Sequence, residues 1–158
     1  MIYTCCYVSP LGRMIMTSDG RSLTGLWFEG QRHAPRVDAG ERSLTVFRDA
    51  CRWLENYFAG LDPGPAPALE LRGTPFRLRV WNRLREIPRG QTVSYSELCA
   101  LLGEGSPRAV GQAVSRNPIA VIIPCHRVVG ADGSLTGYAA GTDKKVRLLA
   151  LEGALPAP

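Results

Sequence analysis

The chain lacks any apolar run near the roughly 18–20 residues that a membrane helix needs, and its first residues, MIYTCCYVSP, contain neither a basic stretch nor the apolar core of a secretory leader. A soluble, cytoplasmic protein is expected. Paired cysteines are missing as well. Cys5, Cys6, Cys51, Cys99 and Cys125 are odd in number and include no C-x-x-C pair, which speaks against a disulfide scaffold or a zinc ribbon and for reduced thiols, one of which could be reactive. Lysine is nearly absent, since 17 of the 19 basic residues are arginine. What is present suffices for a core: 158 residues, 45% of them hydrophobic, make one ordinary domain or two small ones and exclude whole-chain disorder.

The net charge of +5 is uneven. Residues 1–68 carry seven arginines against seven acids, whereas residues 69–158 hold the whole excess. An arginine fork suits phosphates and base edges, so the second half has the footprint of a nucleic-acid binder; a merely basic protein is the other reading.

The first thirty residues read as short strands broken by turns, IYTCCYV, RMIMT and LTGLWF around SPLG and SDGRS, which is an antiparallel meander. Phe47, Cys51, Leu54 and Phe58 then recur at helical spacing with Gly60 as a stop. The segment 61–68, LDPGPAPA, is the linker candidate, dividing an N-terminal domain 1–68 from a C-terminal domain 69–158.

Beyond it, Thr74 and Pro75 have the chemistry of a helix start, and Phe76, Val80, Leu84 and Ile87 form its stripe before Pro88. Ser94 and Glu97 make a capping box for a helix with Leu98, Leu101 and Leu102 inward and Gly103 at its end. Ser106 and Pro107 open another, running to about Arg116, because Asn117 precedes Pro118 and is pushed out of helical geometry. Two capped helices joined by Gly-Glu-Gly form a helix-turn-helix pattern. On the second, Ala109, Val110, Ala113 and Val114 are the apolar side, while Arg108, Gly111, Gln112 and Ser115 share the other. That small polar face, with one cation at the positive end of the helix dipole, suits a phosphate backbone; an ordinary solvated face is the alternative.

The chemistry concentrates in AVIIPCHRVVG, residues 120–130. A strand-like apolar run delivers Cys125 beside His126 and Arg127, and a base or cation beside a thiol makes thiolate accessible near neutral pH. Successive residues on a strand face opposite ways, so Cys125 and His126 need a turn or a relaying water to cooperate. The residues alone leave two readings, a reactive Cys125 or a buried inert thiol with a structural His126. A hairpin at Asp132-Gly133 returns a strand ending in Gly137 and Tyr138 beside this segment. A last helix runs from Thr142 through Val146, Leu149 and Ala150 to Glu152, an acid at a helix C-terminus, better explained by a partner such as His126 than by the helix dipole.

PCHRVVG, together with GTPF, VSYSEL, RAVGQAV and LLALEG, resembles the O6-alkylguanine-DNA alkyltransferases, over nearly the whole chain and most strongly over residues 73–153. The resemblance implies an α+β fold: a small N-terminal domain of antiparallel sheet plus helix, then a mostly helical C-terminal domain with a winged-helix-like helix-turn-helix. It implies irreversible, stoichiometric transfer of an alkyl group from O6 of a flipped guanine, with O4-alkylthymine as a second substrate, onto Cys125. His126 is then the base through a bound water, Glu152 orients His126, and Asn117 braces the segment before the site. Arg108 fills the space of the flipped nucleotide, Tyr95 crowds the phosphate 3′ to it, and Tyr138 bonds the guanine with backbone groups of Cys125, Val128 and Ala139. Gly111, Gln112 and Ser115 allow close approach in the minor groove of double-stranded DNA.

A monomer without metal or cofactor is expected. Cys5, Cys6 and His33 do not reproduce the zinc ligands of some relatives; His33 is expected at the surface, and Cys51 and Cys99 in the core. Ala139 and Ala140 replace glycines common after the pocket tyrosine, and Arg116 stands where several relatives carry Gly, as an added phosphate contact. Two rivals remain: a lesion-binding alkyltransferase-like protein that transfers nothing, against which Cys125 argues, and a Cys-His-Glu hydrolase, which would have no need of Arg108 on a small-faced helix.

Overall fold

A computed structural model describes residues 2–35, 43–135 and 137–155. The architecture is α+β, in two compact units, Met1–Arg72 and Gly73–Pro158. Among the described residues no helix is long and apolar enough to cross a membrane.

In the first unit, strands β1 (Tyr3–Ser9), β2 (Gly12–Ser18) and β3 (Leu23–Phe28) form an antiparallel sheet in sequence order. Ser9 closes the β1–β2 turn, its hydroxyl accepting from Leu11 N and donating to the carbonyl of Gly12. Period-2 alternation puts Met14 and Met16 on one face of β2, opposite Phe28 and Leu26, and all four are buried. Helix α1 (Thr45–Phe58) supplies the other half of this core with Val46, Phe47, Ala50, Trp53, Leu54 and Tyr57. That stripe is rotated from the expected one, and Cys51 and Phe58 fall on its flank, half-buried. The aromatic pair Trp53 and Tyr57, stacked at 5.4 Å, takes the central position instead.

The segment 61–68 is not a free linker. Trp53 donates from Nε1 to the Gly64 carbonyl and Pro67 is buried. Leu23 N then donates to Ala68 O at 2.7 Å and Glu70 N to Leu23 O at 3.0 Å, a parallel bridge alongside β3. The chain therefore leaves this unit after Arg72, later than the expected break after Ala68.

In the second unit, α2 (Pro75–Leu84) starts as its sequence dictates, with Thr74 Oγ1 accepting from Arg77 N. It ends at Leu84, and Ile87 is buried beyond it. Trp81 donates from Nε1 to the carbonyl of Ala113 at 2.8 Å, pinning α2 to α4 (Pro107–Ser115). Between them lie β4 (Val93–Ser94) and α3 (Tyr95–Leu102), capped by Ser94 and ended by Gly103 in the left-handed conformation at φ 70°. Only Leu98 of α3 is fully buried; Leu101 is 55% exposed, contrary to expectation, because eight residues of helix turn only one narrow face to α4. Cys99 is half-buried, and its thiol donates to the carbonyls of Glu104 and Gly105 in the turn rather than packing in the core.

The run 120–123 is a buried turn, not a strand. Apolar runs this short do not distinguish strand from any other buried segment. The strand comes later, at β5 (Val128–Val129), which pairs in parallel with β4. Asp132 and Gly133 do form a turn, with Gly130 N donating to Ser134 O, but no returning strand follows among the described residues; Thr136 lies outside them. Helix α5 (Thr142–Leu151) closes the unit, burying Lys145, Leu148 and Leu149 rather than the expected stripe of Val146, Leu149 and Ala150.

Candidate active site

Asn117, just past the end of α4, organises the turn that leads to Cys125. Its amide nitrogen donates to the carbonyls of Ile119 (3.2 Å) and Ile123 (2.8 Å), and its oxygen accepts from Ile119 N (3.0 Å). Within that loop Val121 has φ 70°, a conformation costly for a β-branched residue and held by the bonds on either side of it. The result aims the chain inward: Cys125 and His126 are both buried, in a single 3-10 turn, Cys125–Arg127. Because that turn rotates side chains by about 120° per residue, Cys125 and His126 are not thrown to opposite faces as they would be on a strand.

Burial pushes the Cys125 thiol above its ordinary range, against the nearby polar group of Asn117, the positive charge of Lys145 and the hydroxyl of Tyr138, which favour the thiolate. The resting sulfur is therefore a thiol, and its proton has to be removed for it to react. Arg127, expected as a cation beside the sulfur, is engaged elsewhere, with Glu152; the cation that acts on Cys125 is Lys145.

His126 and Glu152 are fully buried and 2.7 Å apart, Nε2 to Oε2. Burial lowers the His126 pKa more than Glu152 raises it, so the ring is neutral with Nε2–H donating to the carboxylate. Nδ1 is then a lone-pair acceptor, buried without a hydrogen-bond partner. Glu152 caps the C-terminus of α5, where its charge is answered by side chains and not by the helix. Tyr138 stands edge-on to His126 with ring centroids 6.5 Å apart.

Lys145 is the residue that sequence reasoning missed. Its Nζ donates to the carbonyl of Val128 at 2.5 Å. A signal existed: Lys145, Leu148, Leu149 and Glu152 stand at i, i+3, i+4 and i+7, so the lysine shares the buried face with the acid. The N–H of Val128 donates to Cys125 O, closing the turn from the other side.

The remaining predicted residues surround this centre or stand apart from it. Tyr95, the first residue of α3, is near enough to Cys125 that a thiolate there would raise its phenol pKa further, after burial. A Cβ added to Gly111 would touch the Tyr95 ring at 3.6 Å, and one added to Gly137 its hydroxyl at 3.5 Å. The small side of α4 thus accommodates Tyr95. Arg108, Gln112 and Arg116 are exposed, Ser115 turns its hydroxyl back to the Gln112 carbonyl, and Ala139 is half-buried. Arg85 and Arg147 add to the exposed cations of this unit, and no acid occupies the first turn of α4. Among the described residues no cluster of three or more His, Cys, Asp or Glu could hold a metal; His33 is exposed.

Comparison with known proteins agrees with this geometry. Residues 75–154 match the model of the 6-O-methylguanine DNA methyltransferase DNA binding domain, and residues 1–63 that of the same family's ribonuclease-like domain. The methylated-DNA–protein-cysteine methyltransferase of Methanosarcina acetivorans is 44% identical over 96% of this chain and 99% of its own; that of Mycobacterium leprae is 44% identical over 96% and 93%. The crystal structure of Mycobacterium tuberculosis OGT in complex with DNA is similar at a TM-score of 0.84 and 42% identity, over 96% of this chain and 93% of that one. With both domain models matched in order and the buried Cys-His-Glu centre inside the second, the chain belongs to the 6-O-methylguanine DNA methyltransferase family, the methylated-DNA–protein-cysteine methyltransferases.

Proposed function

We propose that this protein repairs alkylated DNA directly, taking the alkyl group from O6 of guanine, and from O4 of thymine, onto Cys125 once per molecule. The observation that carries this reading is the His126–Glu152 pair, buried at 2.7 Å, with an unpartnered Nδ1 in the turn that holds a buried thiol. In the step, the thiol proton passes to His126 through a bridging water. The sulfur attacks the alkyl carbon, the carbon–oxygen bond breaks with its electron pair on the guanine, and the Tyr138 hydroxyl donates to the charge that develops there. Lys145 favours the thiolate as it forms. Sulfur is a soft nucleophile suited to a saturated carbon, and the thioether product is stable, so each chain acts once.

DNA is engaged by α3 and α4 as a helix-turn-helix on the minor groove. The target nucleotide leaves the stack, Arg108 fills the gap, Tyr95 presses on the neighbouring phosphate and Arg116 adds a phosphate contact. Backbone groups of Cys125, Val128 and Ala139 recognise the guanine, and the protein acts as a cytoplasmic monomer. The exposed arginines and the acid-free start of α4 support this reading.

The test is intact-mass analysis after incubation with duplex DNA containing O6-methylguanine, followed by peptide mapping. One added methyl group on Cys125, saturating at one per chain, is the expected result. Binding without added mass would make the protein a lesion sensor, and repeated turnover with no retained group would make it a hydrolase.

A further inference from the structure

The carboxylate of Glu152 is shared by two residues adjacent in the chain. Arg127 reaches Oε1 through Nε at 2.8 Å and Oε2 through Nη2 at 2.9 Å, while His126 meets Oε2. The third guanidinium nitrogen, Nη1, donates to the carbonyl of Ile87 at 2.6 Å, so the fork is held at both ends. The Arg127 side chain is only 11% exposed. A bidentate pair with a further anchor is more than the charge balance of a surface requires.

A buried carboxylate whose partner was the imidazole alone would be neutralised by drawing a proton onto the ring. Arg127 already supplies that positive charge. A second proton on His126 would leave an excess cation in a buried site. Among the described residues, the charged and titratable groups facing the ring are Glu152 and Lys145 from α5 and its end, Arg127 from its own turn, the Cys125 thiol and the phenol of Tyr138, edge-on at 6.5 Å. Both cations oppose an imidazolium, in the same direction as burial.

We propose that Arg127 is a positioning residue of the transfer reaction: by occupying both oxygens of Glu152 it keeps His126 a neutral imidazole, with Nε2–H committed to the carboxylate and the Nδ1 lone pair open to the thiol proton. This rests on the function proposed above. The proton moves from sulfur through the bridging water to Nδ1, and the pair it leaves on sulfur forms the new sulfur–carbon bond. An imidazolium has no lone pair at Nδ1 and cannot take part.

The test is an NMR titration of the full chain labelled in its histidine rings, run beside the methyl-transfer rate against pH. The exposed His33 serves as the internal reference. In Arg127→Met the His126 midpoint rises by about one pH unit or more, the acid limb of the rate profile moves up with it, and transfer at a pH below both midpoints slows at least ~10-fold. Arg127→Lys, which keeps a cation and loses the fork, gives a midpoint between the two, and carries the test by itself should Arg127→Met not fold. A His126 midpoint unmoved in a folded variant overturns the proposal, whatever happens to the rate, because Arg127 would then be a brace alone. Should the parent protein fail to methylate Cys125, the function falls, while the titration still decides what Arg127 does to His126.

Discussion

Lys145 points its ammonium into the protein and donates to the carbonyl of Val128, three residues past Cys125, at 2.5 Å and with 1% of the residue exposed. Burial lowers the lysine pKa, and the charge it retains acts on the thiol. Replacing it with Met keeps the volume and removes the charge. Lys145→Met is expected to slow alkyl transfer about 10-fold or more, a loss of at least ~1.4 kcal/mol, while folding stability stays within about 1 kcal/mol of the parent. An intact-mass time course and a urea titration measure the two, and a normal transfer rate would remove Lys145 from the mechanism.

Asn117→Ala breaks three hydrogen bonds inside the turn that holds Val121 at φ 70°. The backbone partners that lose these bonds are buried, so the expected cost is about 2–3 kcal/mol and a Tm lower by roughly 4–10 °C. Calorimetry decides it. A variant with unchanged Tm would mean that the turn is held by its apolar packing.

Stability should pass through a maximum with pH. His126 has a lowered pKa in the folded state, so the unfolded chain binds the extra proton and stability is lost as pH falls below about 6.5. Cys125 and Cys51 have raised values, Cys51 to about 11, so the unfolded chain ionises first and stability is lost as pH rises above about 8.5. Urea midpoints taken from pH 5 to 10 test both limbs. His126→Gln should flatten the acid limb between about pH 5 and 6.5, and an acid limb unchanged in that variant would assign it to other groups.

Arg108, exposed at the start of α4, is expected to matter only when a base must leave the stack. Arg108→Ala should repair O6-methylguanine in duplex DNA at least ~10-fold more slowly, yet react normally with a free O6-substituted guanine. Equal rates on duplex for parent and variant would refute its role in extrusion.

Local chemistry was legible along the chain. Thr74, Ser94 and Ser106 each cap a helix through their own hydroxyl, as their spacing from the following residues requires, and Gly103 ends one where a left-handed residue is needed. The pairing of His126 with Glu152 was legible too, because an acid at a helix C-terminus demands a partner. Helix faces were less so. In α1, α3 and α5 the buried stripe is set by which neighbour each helix meets, and short stripes shift by a residue without disturbing the apolar count.

Composition, caps and the PCHR segment by themselves determined an α+β chain with a candidate thiol, its histidine and its acid, because each of those signals is carried by residues a few positions apart. Tertiary structure alone decided the rest. Whether 120–123 is strand or turn depends on the side chain of Asn117. Where Arg127 points depends on Glu152, 25 residues on, and on Ile87, 40 residues back. Which cation acts on the thiol depends on a lysine whose burial only the packed face of α5 reveals. Contacts between residues so distant in the chain carry no local periodicity, and they form only when the packed core brings their donors and acceptors together.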